Sequence, residues 1–130
     1  PRKSVARSVP AGDPVSRIRR ALDAGGATPP DLRQLAEATA LAIERVTEIV
    51  EELVRTGDAV RISDDVAFGR DAYARAREQI VELLATKPEI TMGEYRTRIG
   101  SSRKYALALL EHFDADGLTV RIGDARRLKS

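Results

Sequence analysis

The chain has 130 residues, 42% hydrophobic and 32% charged, which suits one domain or two small ones and is not the composition of a disordered chain. It has no cysteine and one histidine, His112, which excludes a disulfide scaffold, a cysteine-ligated zinc site and a Cys–His nucleophile pair. The net charge of +2 is mildly basic, so a nucleic-acid site has to come from local clustering of cations. Because no apolar run approaches the ~18 residues of a membrane span and no signal-peptide pattern is present, a cytoplasmic location without a membrane partner is expected.

The first half of the chain predicts a tail, three helices and a β-hairpin. Residues 1–12 carry proline, serine and basic residues without periodicity and are expected to be a linker or tail. Apolar residues at helical spacing, bounded by caps and by glycine, predict the helices, and a strand–turn–strand pattern follows. The expected elements are a helix over residues 13–24, a short helix opened by the capping box Asp31–Gln34, a helix over about residues 40–56, and strands over residues 59–62 and 66–68.

The same order recurs in the second half. The expected elements are helices over about residues 71–85, 91–99 and 102–116, the second opened by the capping box Thr91–Glu94, and a hairpin over residues 118–129. A shift of 60 residues places Gly57 on Gly117 and Asp64 on Asp124, and it superposes the apolar positions of the third helices. The sequence therefore predicts an internal duplication.

Each repeat combines a short second helix, a tight turn and a longer third helix, which is the helix-turn-helix arrangement. The hairpin that follows adds a wing. The predicted fold class is therefore α+β and mostly helical, with two tandem winged-helix modules. This compact pattern favours nucleic-acid binding over a small α+β domain without such a function.

Charge distinguishes the two modules. The third helix of the first module carries four glutamates against two arginines, which would repel phosphate, so residues 13–69 are expected to hold position or to contact protein. The third helix of the second module opens with two serines and two basic residues, where free N–H groups and the helix dipole favour an anion. Residues 70–130 are therefore expected to be the nucleic-acid-binding module, and the resemblance described below makes it the RNA-binding one. The candidate binding residues are Arg98, Ser101, Ser102, Arg103, Lys104, Arg121, Gly123, Arg126 and Arg127.

No catalytic arrangement stands out. The phosphate loop G-x-x-x-x-G-K-[ST] is absent, and the carboxylates are interleaved with basic residues as on solvated helices. The chain is expected to be non-catalytic, without a metal or cofactor of its own. Its start at Pro1 indicates a fragment of a longer protein.

The second module also resembles a known family. The segments TMGEYR at residues 91–96, GSSRKYALALLE at residues 100–111 and RIGDAR at residues 121–126 are similar to the last winged-helix domain of the bacterial selenocysteine-specific elongation factor. The resemblance covers about residues 71–130. The first 70 residues match the preceding winged helix only in architecture and order.

The resemblance implies a function. Full-length members are GTPases that bring selenocysteinyl-tRNA to the ribosome, and the last of their four C-terminal winged helices binds the selenocysteine insertion hairpin of the mRNA, which recodes UGA. This chain would be the last two of the four, a monomer whose direct partner is the mRNA hairpin. The ribosome and the tRNA would be partners of the full-length factor, and GTP would be bound by a domain absent here.

The charge pattern and the resemblance together predict a mechanism. Because A-form RNA hides its bases in a deep, narrow groove, the target is expected to be the hairpin loop and a displaced base. Arg103, Lys104 and the two serines would hold loop phosphates, and the wing arginines, with Gly123 allowing close approach, would flank the base. The alternatives left open are a DNA-binding tandem winged-helix regulator and a protein-interaction scaffold. The sequence leaves the loop sequence, the affinity and any RNA or ribosome contact of the first module open.

Overall fold

The computed structural model describes residues 13–129, so the tail expected over residues 1–12 lies outside the described residues. The first repeat contains α1 (Pro14–Gly25), α2 (Leu32–Thr39), α3 (Ile43–Arg55), β1 (Ala59–Ser63) and β2 (Val66–Gly69). The second contains α4 (Arg70–Thr86), β3 (Ile90–Thr91), α5 (Met92–Ile99), α6 (Arg103–Asp116), β4 (Thr119–Ile122) and β5 (Ala125–Leu128). Apart from the two-residue strand β3, the element order is the one that the sequence predicted.

The chain divides into two compact units, the first ending at Arg70 and the second beginning at Asp71. The core of the first unit is formed by aliphatic side chains from all three helices and from the hairpin. They include Ile18, Leu22, Leu35, Ile49, Val50, Leu53 and Ala67. The apolar stripe that the sequence placed on α3 therefore faces this core.

The core of the second unit is built around two aromatic residues. Tyr95 and Phe113 are fully buried, with ring centroids 6.3 Å apart in an edge-to-face arrangement. The hydroxyl of Tyr95 donates a hydrogen bond of 2.7 Å to the backbone oxygen of Ala76 on α4. Because α5 is only eight residues long, this contact and the burial of Ile99 fix its position against α4 and α6.

The wing of the second unit is part of a three-stranded antiparallel sheet with the order β3-β5-β4. Strand β3 pairs with β5, with Ile90 opposite Arg126 and Thr91 opposite Ala125. Thr91 is also the N-cap of α5, and its hydroxyl accepts from the backbone N–H of Glu94. This short strand therefore places the start of α5 beside the wing.

The helix-turn-helix segments differ between the repeats in how the turn is made. Thr39 is the last residue of α2, and Ala40 has φ 59° in the left-handed region, where the second repeat has Gly100 with φ 65°. The expectation that α3 begins near Ala40 was therefore wrong. It begins at Ile43, because the left-handed residue ends α2 and starts the turn.

Candidate nucleic-acid interface

The wing of the second unit separates its arginines by strand alternation. Arg121 on β4 pairs with Arg126 on β5 in the antiparallel register. Successive strand residues point to opposite faces, so Arg126 is 2% exposed while its neighbour Arg127 is exposed. The three wing arginines of the sequence prediction therefore occupy different surroundings.

Arg126 is held by an aspartate on α6. Its Nε donates to both carboxylate oxygens of Asp114, at 2.9 and 3.2 Å, and the hydroxyl of Thr119 donates to the same carboxylate at 2.6 Å. The Nη2 of Arg126 is buried and has no hydrogen-bond partner among the described residues. The ion pair thus uses the Nε of the guanidinium and leaves Nη2 without a hydrogen bond.

A cavity of about 360 Å³ lies between the start of α5, the start of α6 and the wing. It brings together three of the predicted site residues, Arg103, Arg121 and Arg126. The other lining residues are Thr91, Met92, Gly93, Leu107 and Asp124. Three guanidiniums against one lining carboxylate, beside the N-terminus of a 14-residue helix, make the cavity attractive to an anion.

Arg103 and Arg121 are both exposed, and neither forms an ion pair with a described residue. The Nε of Arg121 donates to the backbone oxygen of Gly123 at 2.8 Å. This bond draws the side chain of Arg121 back over its own turn without neutralising its charge. Both arginines therefore remain available to an external acceptor.

The start of α6 is capped by one of the two predicted serines. Ser102 is the N-cap, and its hydroxyl accepts from the backbone N–H of Tyr105 at 3.2 Å. The Nζ of Lys104 lies 5.6 Å from the ring centroid of Tyr105. Ser101 is half-buried in the preceding turn. Ser101, Ser102 and Lys104 lie beside Arg103 in the sequence, but they do not line the cavity.

Two predicted site residues lie away from the cavity. Arg98 is paired with Glu82 on α4 at 2.6 Å. Arg127 lines a separate concavity of about 390 Å³ with Val120, Leu128 and Lys129. A single ligand group in the arginine cavity would therefore contact neither of them.

Gly123 occupies the turn of the wing with φ 60°. A Cβ built there meets nothing within 4 Å, so glycine is favoured by the positive φ of the backbone and not by nearby atoms.

Sequence reasoning missed several residues that shape this site. Asp114 was not singled out among the carboxylates of the helices. The available signal was the consecutive pair Arg126–Arg127, because in a strand one of two neighbouring side chains faces inward and a buried charge needs a counter-charge. The first residues of α5 were assigned to capping alone, because the pairing of β3 with the wing depends on a long-range contact. Leu107, which was not singled out, is half-buried at the cavity wall.

The first unit does not repeat this arrangement. Arg61 is the equivalent of Arg121, and its partner on the neighbouring strand is the buried Ala67. Under the 60-residue shift, Arg103 corresponds to Ile43 and Asp114 to Val54. Arg61 itself lies 3.7 Å from a carboxylate oxygen of Glu51. The duplicated fold thus forms without the arginine cluster.

Within residues 13–129, no three His, Asp or Glu side chains are grouped so that they could hold a metal ion. In the same part of the chain, no helix combines the length and the apolar character that crossing a bilayer requires.

Residues 82–128 match the family model described as elongation factor SelB, winged helix. A curated relative, the selenocysteine-specific elongation factor of Desulfomicrobium baculatum, is 23% identical over 104 residues, which cover 80% of this chain. The chain spans only 16% of that relative's length.

Two solved structures share the fold. The mRNA-binding domain of elongation factor SelB from E. coli, in complex with SECIS RNA, matches with a TM-score of 0.77 and 24% identity over 89% of this chain and 94% of that one. A bacterial selenocysteine-specific elongation factor, EF-Sec, matches with a TM-score of 0.71 and 24% identity over 92% of this chain and 19% of that one.

These likenesses confirm the predicted mostly helical α+β fold with winged-helix modules. Residues 82–128 are therefore similar to the winged helix of elongation factor SelB, and the resemblance to the C-terminal winged-helix region of that factor is confirmed.

Proposed function

We propose that this chain binds the selenocysteine insertion hairpin of an mRNA, as the mRNA-binding part of a selenocysteine-specific elongation factor. The observation that carries the proposal is the cavity at which Arg103, Arg121 and Arg126 meet. It lies at the start of the third helix and the wing, within the segment that matches the SelB winged helix. The related E. coli domain is described in complex with SECIS RNA.

The second module, residues 70–130, is proposed to make the RNA contacts. Arg103, Lys104, Ser101 and Ser102 hold backbone phosphates of the hairpin loop, since they cluster at the N-terminus of α6. Arg121, Arg126 and Gly123 face the displaced nucleotide from the wing. Arg127 and Arg98 lie outside the cavity and make peripheral phosphate contacts.

The first module, residues 13–69, is proposed to hold position. Its α3 carries Glu44, Glu48, Glu51 and Glu52, which disfavour a phosphate backbone at the place where the second module presents Arg103. The two modules would be the last two of four winged helices. The ribosome, selenocysteinyl-tRNA and GTP belong to the full-length cytoplasmic factor, in which hairpin binding directs the recoding of UGA.

The proposal is tested by fluorescence-anisotropy titration of the chain at two salt concentrations. The ligands are a selenocysteine insertion hairpin, the same hairpin with a scrambled loop, and a DNA duplex of equal length. Tight binding of the intact hairpin alone is expected, weakened but retained at the higher salt concentration. Preference for the duplex would replace the proposal with DNA regulation, and equally weak, salt-labile binding of all three would favour the protein scaffold.

Variants assign the contacts. Arg103→Ala is expected to weaken hairpin binding and to reduce the salt slope by about one unit, as loss of a phosphate contact does. Arg19→Ala, an exposed arginine on α1 of the first module, is the matched control and is expected to leave both unchanged. Wild-type affinity in Arg103→Ala would remove the start of α6 from the interface.

A further inference from the structure

The turn before α3 of the first unit exposes a run of apolar residues. Residues 40–43 read Ala-Leu-Ala-Ile, and all of them except the half-buried Leu41 are exposed. Ile43 is 43% exposed. Because a run of exposed apolar residues favours association in water, it marks a contact surface or an aggregation hazard. The equivalent segment of the second unit, residues 100–103, reads Gly-Ser-Ser-Arg and has no such run.

The apolar run continues along an accessible stripe of α3. Spacings of four, four and three residues place the members of this stripe on one side of the helix. The stripe consists of Ile43, Thr47, Glu51 and Val54. Val54 is 37% exposed, so exposed apolar side chains lie near both ends of the stripe.

Two glutamates make this side of α3 acidic. Glu44 precedes Thr47 by three residues, is exposed, and forms no ion pair with a residue of the described part of the chain. A carboxylate oxygen of Glu51 lies 3.7 Å from Nη1 of Arg61, with the glutamate side chain 54% exposed. Because exposed pairs of this kind contribute little, the carboxylate of Glu51 remains open to a second cation.

The second unit shows that the fold does not require these surface residues. Under the 60-residue shift, Ile43 and Glu44 correspond to Arg103 and Lys104, which are also exposed. Both units have a short helix, a tight turn and a longer helix at these positions. The core therefore forms with either pair, and the two helix starts differ in the kind of partner that they attract.

We propose that this surface of the first unit binds a basic segment of another protein, whose Lys or Arg residues pair with Glu44 and Glu51 while an apolar side chain covers Ile43. The α3 docking face consists of residues 40–44, Thr47, Glu51 and Val54. Its negative charge repels phosphate, which disfavours a nucleic-acid backbone and an anionic lipid surface. A wholly apolar partner would remove the glutamates from water without a counter-charge. The inference does not rest on the proposed RNA function.

The test titrates the whole chain with three helical peptides of equal length. The first combines leucine and lysine in an amphipathic pattern, the second has serine in place of leucine, and the third has glutamate in place of lysine. The leucine–lysine peptide is expected to bind at least tenfold more tightly than the serine–lysine peptide, because burial of an apolar side chain adds to the charge pairing. The leucine–glutamate peptide is not expected to bind. Equal affinity for the two lysine peptides would mean charge attraction alone and would overturn the proposal.

Variants locate the binding. Glu44→Lys/Glu51→Lys is expected to weaken binding of the leucine–lysine peptide at least tenfold, and Ile43→Ser about tenfold. Glu78→Lys/Glu89→Lys changes two exposed glutamates of the second unit, makes the same change in net charge, and is expected to keep the wild-type affinity. Equal losses in the two double variants would overturn the proposal, because the effect would then follow net charge.

A measurement on the wild type keeps the test independent of variant folding. Methyl NMR spectra recorded during the peptide titration are expected to show saturable shifts for Ile43 and Val54 and none for Ile80, which is buried in the second unit. Unshifted Ile43 and Val54 methyl signals at saturation would overturn the proposal. Urea unfolding first verifies that each variant is folded.

Sedimentation of the chain alone distinguishes a second copy from another protein. A wild-type chain that stays monomeric at the concentrations of the titration is expected. Self-association that Glu44→Lys/Glu51→Lys abolishes would make a second copy the occupant and would overturn the choice of partner. Failure of the chain to bind the mRNA hairpin would overturn the proposed function and leave this result unchanged, so the two failures are distinguishable.

Discussion

At the scale of single residues, the second unit depends on polar contacts placed inside an apolar core. The carboxylate of Asp114 compensates a guanidinium that is almost fully removed from water. An uncompensated charge at this depth is far more costly than an apolar side chain. The free energy of unfolding should therefore respond very differently to loss of one member of the pair and to loss of both.

Asp114→Val alone is expected to lower the free energy of unfolding by about 3 kcal/mol, because Arg126 loses its counter-charge. The double variant Asp114→Val/Arg126→Ala copies the residues of the first unit and is expected to recover most of that loss. Urea unfolding followed by circular dichroism measures both. Equal losses in the single and double variants would show that packing, not charge, determines the stability here.

The single histidine predicts a pH dependence. Nε2 of His112 lies 3.0 Å from the hydroxyl of Tyr73, and burial lowers the pKa of His112, an effect that the nearby Asp116 partly offsets. Because the folded-state pKa lies below the unfolded value of 6.5, this histidine's contribution to stability is present above pH 6.5 and is lost as the pH falls through the folded pKa.

Urea unfolding at pH 7.5 and pH 5.5 should therefore show a loss of stability in the wild type that is smaller in His112→Gln. The glutamine variant has no titrating group at this position and serves as the control. The same pH dependence in both proteins would assign the effect to the carboxylates.

Single site residues were also the feature that the sequence predicted least completely. It identified Arg103, Arg121 and Arg126 as candidate site residues, because basic residues were concentrated at one helix start and one hairpin. It missed Asp114, since the partner of an inward-facing strand residue is set by packing between α6 and the wing. Arg98 and Arg127 were included on charge alone, which does not show which face of an element a side chain occupies.

At the scale of elements, helix ends account for most of the local difference between the repeats. The capping boxes at Asp31–Gln34 and Thr91–Glu94 were predicted from the sequence and are both present. The start of α3 was not predicted, because an alanine gives no signal that it adopts a left-handed conformation. Its N-cap, Ala42, makes no side-chain hydrogen bond, where the second repeat has the capping residue Ser102.

Ala40→Gly is expected to stabilise the first unit by about 1 kcal/mol, because a left-handed backbone is costly for a residue with a Cβ. Gly100→Ala is the reciprocal variant and is expected to destabilise the second unit by about the same amount. Thermal unfolding of both variants measures the two shifts. Destabilisation by Ala40→Gly would mean that its backbone strain is smaller than the entropy lost by glycine on folding.

At the scale of the whole molecule, the sequence predicted the duplication, the element order and the mostly helical fold, since these follow from hydrophobic periodicity and from helix and turn signals. The three-stranded sheet of the second unit required the structure, because two residues of strand carry no periodicity. The duplication now offers matched positions for comparing function between the units.

Arg61 and Arg121 are equivalent in the two wings, and each donates through Nε to a backbone oxygen two residues further along the chain. Arg121→Ala is expected to weaken hairpin binding by about 1–3 kcal/mol, as loss of an arginine contact to nucleic acid does. Arg61→Ala, in the unit with the acidic third helix, is expected to leave it unchanged. Anisotropy titrations compare the two, and equal losses would place RNA contacts in both units.

The acidic α3 of the first unit has a consequence for valency. A chain with two equally basic repeats could hold two hairpins at once and bridge separate transcripts. Four glutamates on one of the two third helices disfavour RNA there, so under the proposed function each chain is expected to bind one message. The duplication is therefore not expected to make the protein a cross-linker of mRNA.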